Sequence, residues 1–332
     1  MGMLEVRGLT RTFATKRGDV VAVRGVDFSV AAGEIVGFLG PNGAGKTTTL
    51  RMLTTLLAPT AGTATVAGHD LRAAPGRVRR HIGYVAQTGG VDPTLPVGEE
   101  LTSQGEFYGL SAARARERAA ELAARFGLDG MQGRTIMTLS GGQRRRLDIA
   151  LGLVHRPALL FLDEPSTGLD PHSRAGLWDH IAATRAEDGM TVFCTTHYLD
   201  EADALCDRVL IIDDGRIIAE GTPAQLKRRV SGDTIIVRVP AAARDRASAA
   251  LAPVGSVTDD PAGPGADTPA DADAGADTGV ALRLAVGDGD RALPEVVLAL
   301  NGAGVAPTAL RVARPTLDDV FLSVTGRPLA TT

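Results

Sequence analysis

The 332-residue sequence contains no long hydrophobic run. Every apolar stretch is interrupted by a charge, Gly or Pro within about ten residues, whereas a membrane-spanning helix needs roughly 20. The first ten residues, MGMLEVRGLT, lack the basic segment followed by an apolar segment that marks a secretory signal. We therefore expect no transmembrane helix and a cytoplasmic location.

The sequence also has few cysteines and no excess of basic residues. The two cysteines, Cys194 and Cys206, form no CxxC motif and no Cys/His cluster, so we expect two reduced core residues rather than a disulfide or zinc site. Thirty-five basic against 39 acidic residues give a net charge of −4, which argues against a nucleic-acid partner. The basic run Arg144 to Arg146 is expected to be a solvated helix face.

Strands and helices alternate along the first part of the chain. The apolar run EIVGFLG leads into a glycine-rich loop and then the helical pattern KTTTLRMLTTLLA, and the strands ALLFLDEP and MTVFCTTH flank another helix. This alternation predicts an α/β fold with a parallel sheet. Residues 90–155 have a mainly helical pattern, with Ser111 predicted to cap one helix and Gly127 to end it. A hairpin is predicted to turn at Asp214 and Gly215.

The character of the sequence changes after residue 228. Strands such as DTIIVRV and ALRLAV and helices such as ALPEVVLAL predict a small α+β domain over residues 229–332. Within it, residues 259–279 are almost all small, acidic or turn-forming, and we interpret them as a disordered insertion.

A complete phosphate-binding motif, GPNGAGKT, begins at Gly40 between a predicted strand and a predicted helix. Its glycines let backbone N–H groups point at a phosphate, Lys46 neutralises phosphate oxygens, and the Thr47 hydroxyl can bind Mg²⁺. A plain glycine turn before a helix is the alternative. The predicted nucleotide-binding residues of this loop are Gly40, Pro41, Asn42, Gly43, Ala44, Gly45, Lys46, Thr47 and Thr48.

The end of the apolar strand ALLFLDEP provides the second part of the predicted site. Asp163 is expected beside Mg²⁺, and Glu164 is expected beside an attacking water, which favours hydrolysis over transfer to another substrate. Alternatively, these acidic residues cap the next helix.

Three further residues are candidates for the site, and two of them also have a structural interpretation. His197, at the end of TVFCTTH, is predicted to contact the γ-phosphate or the water, or else to be structural. Gln87, at the end of GYVAQ, is predicted to reach the metal or the water. Phe13, expected in a loop between the first two strands, either stacks on adenine or fills a hydrophobic gap.

The order of motifs, a phosphate loop, Gln87, LSGGQ, LLFLDEP, STGLD and His197, resembles the ATP-binding subunits of ABC transporters over residues 4–228. The resemblance implies a P-loop NTPase parallel-sheet core with an N-terminal antiparallel β subdomain and an inserted helical subdomain, together forming an ATP-binding domain at residues 1–228. It also implies a head-to-tail dimer with ATP and Mg²⁺ as ligands. The residues expected to act on the partner's ATP or at the dimer seam are Ser140, Gly141, Gly142, Gln143 and Asp170, and the predicted metal ligands are Thr47, Gln87 and Asp163.

The segment from Ser140 to Arg174 and the ending PTLDDVFLSVTGR are similar to the daunorubicin-resistance subfamily of drug and antibiotic exporters. We therefore expect an ATPase on the inner face of the membrane that drives a separate permease exporting a drug-like compound. Residues 91–107, expected to touch that permease, depart from the subfamily pattern. The alternatives are a soluble ABC ATPase of translation or DNA repair, and a metabolic kinase, which the LSGGQ motif and Glu164 oppose.

Overall fold

We analysed a computed structural model of the chain, which describes residues 2–16, 18–230, 232–259 and 279–326. The chain divides into two compact units, one of Met1–Pro223 together with Val324–Thr332 and the other of Ala224–Ser323. No helix in the described part of the chain is long and apolar enough to cross a membrane.

The first unit alternates strands and helices along most of its length. Its strands are β1 (Leu4–Thr15), β2 (Gly18–Val30), β3 (Ile35–Leu39), β4 (Ala61–Val66), β5 (His69–Asp70), β6 (Ile82–Val85), β7 (Leu159–Asp163), β8 (Thr191–Thr196), β9 (Arg208–Asp213) and β10 (Arg216–Gly221). Its helices are α1 (Lys46–Leu53), α2 (Pro75–His81), α3 (Val97–Phe107), α4 (Ala112–Arg125), α5 (Gly141–Gly152), α6 (Pro171–Asp188) and α7 (Leu199–Leu205).

The central sheet has the strand order β10-β9-β3-β8-β7-β6. The pairs from β9 to β6 are parallel, and only β10 runs antiparallel, as the second arm of the predicted hairpin at Asp214 and Gly215. Strands β3, β7 and β8 are buried throughout, as expected for strands covered on both faces. Their carboxyl ends meet at one edge of the sheet, so the loops that follow them converge there.

An antiparallel sheet of order β2-β1-β4-β5 packs against this core. The ring centroids of Phe28, Phe38 and Phe193 lie 5.5–6.0 Å apart between the two sheets; Phe28 stacks on both of the other rings, which are tilted against each other. Although aromatic residues make up only 4% of the sequence, these rings fill the centre of the core. The predicted parallel sheet and N-terminal antiparallel subdomain are both confirmed.

Helices α3, α4 and α5 form the inserted helical part. Ser111 caps α4 by accepting a hydrogen bond from the backbone N–H of Arg114, and Gly127 follows the helix in a left-handed conformation (φ +59°), both as predicted. The predicted helix after the phosphate loop is shorter than its pattern, because α1 ends at Leu53. There the Thr54 hydroxyl bonds the Leu50 carbonyl and Thr55 adopts a φ of +65°.

The second unit is an α+β structure with a sheet of order β12-β13-β11-β14. Its elements are α8 (Pro223–Lys227), β11 (Asp233–Val239), α9 (Arg244–Leu251), β12 (Ser256–Asp259), β13 (Val280–Val286), α10 (Gly289–Gly302), β14 (Ala309–Ala313) and α11 (Leu317–Thr325). Alternate residues of β11 and β13 pack against Ala247, Leu251, Val296 and Leu300 of α9 and α10.

The predicted disordered insertion lies mostly outside the described residues, which exclude 260–278. Its first residue was assigned wrongly, because Asp259 ends β12 and pairs with Leu282. The cysteines agree with the prediction: Cys194 and Cys206 are buried and unpaired by a disulfide.

Candidate nucleotide-binding and hydrolysis site

The glycine loop joins β3 to α1 at the carboxyl edge of the central sheet. Gly43 and Gly45 have φ angles of +83° and +106°, conformations that glycine adopts without strain. At Gly40, a Cβ atom would lie 2.2 Å from the Ile212 carbonyl oxygen, so β9 leaves no room for a side chain. These constraints direct the loop's backbone toward the amino end of α1, where N–H groups favour an anion.

A cavity of about 170 Å³ lies in front of the loop. The residues that line it are Pro41, Asn42, Gly43, Gly45, Lys46, Thr47, Thr48, Gln87 and Glu164. Gly40 and the buried Ala44 serve instead to pack the loop against its surroundings. The loop predicted from the sequence and two residues from distant segments therefore line one polar cavity.

Lys46 is buried at the floor of this site. Its ammonium nitrogen donates hydrogen bonds to the carbonyl oxygens of Gly40 at 2.6 Å and Pro41 at 3.2 Å, and lies 3.4 Å from Glu164 Oε1. Burial lowers the pKa of Lys46, while the charges of Glu164 and Asp163 oppose that shift. The ammonium group is thus a concentrated positive charge beside the loop, suited to bind phosphate oxygens.

Asp163 lies behind the cavity at the end of β7. Its Oδ1 accepts hydrogen bonds from the hydroxyls of Thr47 at 3.1 Å and Thr195 at 2.7 Å. Sequence analysis missed Thr195, although it stands directly opposite Asp163 in the parallel register of β7 and β8. A hydroxyl and a carboxylate are hard oxygen donors of the type that Mg²⁺ prefers.

Glu164 is the centre of the polar contacts in the cavity. Its Oε2 accepts a hydrogen bond from the Gln87 amide at 2.9 Å and lies 3.4 Å from His197 Nδ1, while Oε1 faces Lys46. Three predicted residues, each from a different segment, therefore converge on one carboxylate. A carboxylate held in this way beside a phosphate loop can orient and polarise a water molecule.

The backbone of Glu164 is strained, with a φ of +45°. Such a conformation in a non-glycine residue persists only where surrounding contacts fix it. The Glu164 N–H bonds both the carbonyl and the hydroxyl of Thr195, at 3.1 and 2.9 Å. The strain turns the side chain away from the path of β7, toward Lys46 and Gln87.

Arg145 also fixes this backbone, contrary to the expectation that Arg144 to Arg146 form a solvated face. Its buried guanidinium donates to four carbonyl oxygens, those of Ala86, Pro165, Asp163 and Glu164, at 2.7, 2.7, 3.2 and 3.4 Å. The prediction is wrong for Arg145, because carbonyls from two distant loops meet at this side chain and satisfy its donors.

Phe13 does not lie in a loop, as predicted, but inside β1, paired with Val20 of β2. The error arises because the two strands extend further than their apolar patterns: β1 continues to Thr15, which pairs with Gly18 at the start of β2. The ring is half-buried, with the Arg11 guanidinium 4.5 Å above it. Phe13 is not among the residues that line the phosphate cavity.

The LSGGQ segment begins α5. Ser140 and Gln143 form a capping box: the Ser140 hydroxyl accepts from the Gln143 N–H, and the Gln143 side chain accepts from the Ser140 N–H. Gly142 lies close to Ser173, two residues into α6, and Asp170 caps that helix by accepting from the Ser173 N–H. None of the four residues Ser140 to Gln143 lines the phosphate cavity of its own chain.

Within the described ranges, no group of three or more His, Cys, Asp or Glu residues is arranged to hold a metal ion. A nucleotide-bound Mg²⁺ takes few protein ligands and completes its shell with phosphate oxygens and water. The oxygens of Thr47 and Asp163 fit that requirement.

Comparisons with known proteins agree with this geometry. The family model described as ABC transporter matches residues 23–167. The chain is 44% identical over 98% of its length to the daunorubicin/doxorubicin resistance ATP-binding protein DrrA of Streptomyces peucetius, covering 93% of that protein. It is 43% identical over 97% of its length to the doxorubicin resistance ATP-binding protein DrrA of Mycobacterium tuberculosis H37Rv, again covering 93%.

A solved structure of an ATP-binding cassette, a dimer in a post-hydrolysis state with ADP and Pi, matches with a TM-score of 0.62. That match has 27% identity and covers 66% of this chain and 98% of the other. The chain therefore belongs to the ABC transporter family, as one of its ATP-binding subunits. It is an ATPase that energises transport through a separate permease.

Proposed function

We propose that this chain hydrolyses MgATP, as half of a head-to-tail dimer, to drive export of a hydrophobic drug-like compound through a separate permease. The observation that carries the proposal is the convergence of Lys46, Gln87 and His197 on Glu164 beside the glycine loop. The names of the related resistance proteins support the choice of cargo class.

In this proposal the glycine loop and Lys46 bind the phosphates, and Thr47 and Asp163 hold Mg²⁺. Their hydroxyl and carboxylate oxygens lie within 3.1 Å of each other at the edge of the cavity. When bound, Mg²⁺ would neutralise charge on the phosphate oxygens. Gln87, also predicted to bind the metal, contacts Glu164 through its amide nitrogen.

Glu164 is proposed to polarise the attacking water, with Gln87 and His197 orienting the carboxylate and the water. Replacing Glu164 by Gln should preserve ATP binding, because Lys46 and the glycine loop remain, and should remove most turnover, because an amide is a poor base. Radiolabelled ATP binding and phosphate release measure the two steps separately. Turnover at the unmodified rate would refute the role of Glu164.

Ser140, Gly141, Gly142 and Gln143 are proposed to contact ATP held by a second copy of the chain. The amino end of α5, a helix of 12 residues, carries the partial positive charge that favours an anion. Since these residues do not line their own chain's phosphate cavity, a second copy would bring that charge to the nucleotide. Asp170 would then lie near the seam, and Phe13 would stack on adenine.

We propose that the permease contacts residues 91–107 and that the subunit lies on the cytoplasmic face of the membrane. Phe107, the last residue of α3, is 82% exposed. This exposed ring lies within the segment proposed to meet the permease and offers apolar surface to it.

The cargo class can be tested in cells from which the gene has been deleted and to which a wild-type or variant copy has been returned. Cells carrying the wild-type gene should accumulate less daunorubicin than cells carrying Lys46→Ala, measured by drug fluorescence in the cells. Equal accumulation, accompanied by a defect in protein synthesis or DNA repair, would favour the soluble ABC ATPase instead.

A further inference from the structure

Glu201 is a buried residue of α7 that does not line the phosphate cavity. Its carboxylate contacts the segment that follows Glu164 and the segment that precedes His197. Its Oε2 accepts a hydrogen bond from the Ser166 hydroxyl at 2.7 Å, and the Thr196 hydroxyl lies at 3.5 Å from the same oxygen. Ser166 follows Glu164 by two residues, and Thr196 immediately precedes His197. One carboxylate thus joins the segment carrying the proposed base to the turn carrying the histidine.

The other carboxylate oxygen extends this connection to α6. Glu201 Oε1 lies 3.4 Å from Arg174 Nε, and the Arg174 guanidinium is stacked 4.1 Å above the Tyr198 ring. The Tyr198 ring in turn lies 4.2 Å from the His197 ring. Arg174 and Tyr198 therefore form the wall against which the His197 ring rests.

The Tyr198 backbone is fixed by the same group. Its N–H donates to the Thr196 hydroxyl at 2.9 Å, so this hydroxyl links the turn to Glu201 as well. Burial raises the pKa of Glu201, opposed by hydrogen bonding from Ser166 and Trp178 and by the charge of Arg174. Burying an acidic group costs free energy unless it is paired, and here the contacts with Ser166, Trp178 and Arg174 offset that cost.

We propose that Glu201 is a positioning residue for ATP hydrolysis, holding the His197 turn in register with the Glu164–Asp170 segment. Glu201 acts through His197 and Ser166 rather than touching ATP. Since Asp170 ends the same segment, Glu201 also connects His197 to the proposed dimer seam. The inference rests on the roles proposed above for Glu164 and His197.

The test compares Glu201→Gln with Glu34→Gln in the full-length chain. Glu34 is a matched control, because it is a largely buried carboxylate paired with Arg208 at 2.7 Å, and it precedes β3 at the end away from the glycine loop. We expect Glu201→Gln to lower kcat about tenfold with an unchanged KM for ATP, the size of effect typical of outer groups that orient a site. Glu34→Gln should lower the melting temperature but leave kcat unchanged.

A double-mutant cycle separates positioning from general stability. In a His197→Ala background, measured by single-turnover hydrolysis, Glu201→Gln should lower the rate less than twofold further. An equal tenfold loss in both backgrounds, or a wild-type kcat for Glu201→Gln, would overturn the proposal. If Glu201→Gln does not fold, Ser166→Ala removes the same contact and is judged by the same cycle.

The His197→Ala and Glu201→Gln variants distinguish the role of His197 from that of Glu201. A wild-type rate for His197→Ala would overturn the role proposed for His197. A slow His197→Ala variant beside a fully active Glu201→Gln variant would overturn only the inference about Glu201.

Discussion

Replacing Arg145 by Met should destabilise the first unit more than any neighbouring arginine substitution on α5. Met retains an aliphatic stem but removes four hydrogen bonds to carbonyl oxygens, two of them the 2.7 Å bonds to Ala86 and Pro165. Hydrogen bonds from a charged group contribute about 1.5–3 kcal/mol each, and breaking a buried charged network costs about 3–5 kcal/mol in all. We predict a loss of about 3–4 kcal/mol in the free energy of unfolding, or roughly 10 °C in melting temperature.

The same substitution should lower ATP turnover, because Arg145 also bonds the carbonyls of Asp163 and Glu164. Urea denaturation monitored by Trp178 fluorescence measures the stability, and phosphate release measures the turnover. Arg144→Met is the matched control: Arg144 is exposed and makes one 3.4 Å bond to the Ile136 carbonyl, so it should cost less than about 0.5 kcal/mol. Equal losses for the two variants would refute the role assigned to Arg145.

Two further predictions concern the helical part of the first unit. Burial raises the pKa of Asp148 to about 6, and the charges of Arg145 and Arg144 oppose that shift. Between about pH 4 and 6 the folded chain therefore binds more protons than the unfolded chain, so the free energy of unfolding decreases as the pH rises through 6. Asp148→Asn should therefore gain about 1 kcal/mol relative to wild type between pH 5.0 and 7.5 in urea titrations, and a constant difference would contradict this. Phe107→Ser should leave the ATPase rate of the isolated subunit unchanged but weaken its binding to permease-containing membranes in a sedimentation assay. The control Leu56→Ser, at a position 60% exposed, should bind these membranes normally. Equal binding by both variants would argue against the proposed permease contact.

The sheet and the phosphate site were predictable because their determinants are local. The run LLFL in β7 is apolar at every position, as expected for a strand covered on both faces. The glycine loop imposes its geometry through three glycines in eight residues. Ser111 and Gly127 likewise define the ends of α4 through their own side-chain and backbone preferences.

What the sequence did not predict depends on residues far apart in the chain. Arg145 is buried because carbonyls near residues 86 and 164 converge on it, and no pattern within α5 distinguishes it from Arg144 and Arg146. Thr195 and Glu201 gain their contacts only once β7, β8 and α7 are packed. Helix α9 escaped prediction because its segment, RDRASAAL, buries only Ala247 and Leu251 and has a weak apolar pattern.

The central claim is that two copies of the chain share each ATP, and mixing two inactive variants tests it most directly. Lys46→Ala removes the phosphate-binding charge, and Gly141→Arg introduces bulk at the start of α5, where a Cβ atom meets nothing within 4 Å and the Ser140 cap is retained. Each homodimer should be inactive, because both of its sites carry a lesion.

In the mixed dimer, one site carries both lesions and the other is intact if the LSGGQ segment acts on the partner's nucleotide. Heterodimers isolated with two affinity tags should therefore occlude one ATP per dimer, measured with radiolabelled nucleotide after rapid gel filtration. If the segment instead serves its own chain's ATP, every site retains one lesion. Verified heterodimers that occlude no ATP would contradict the shared site.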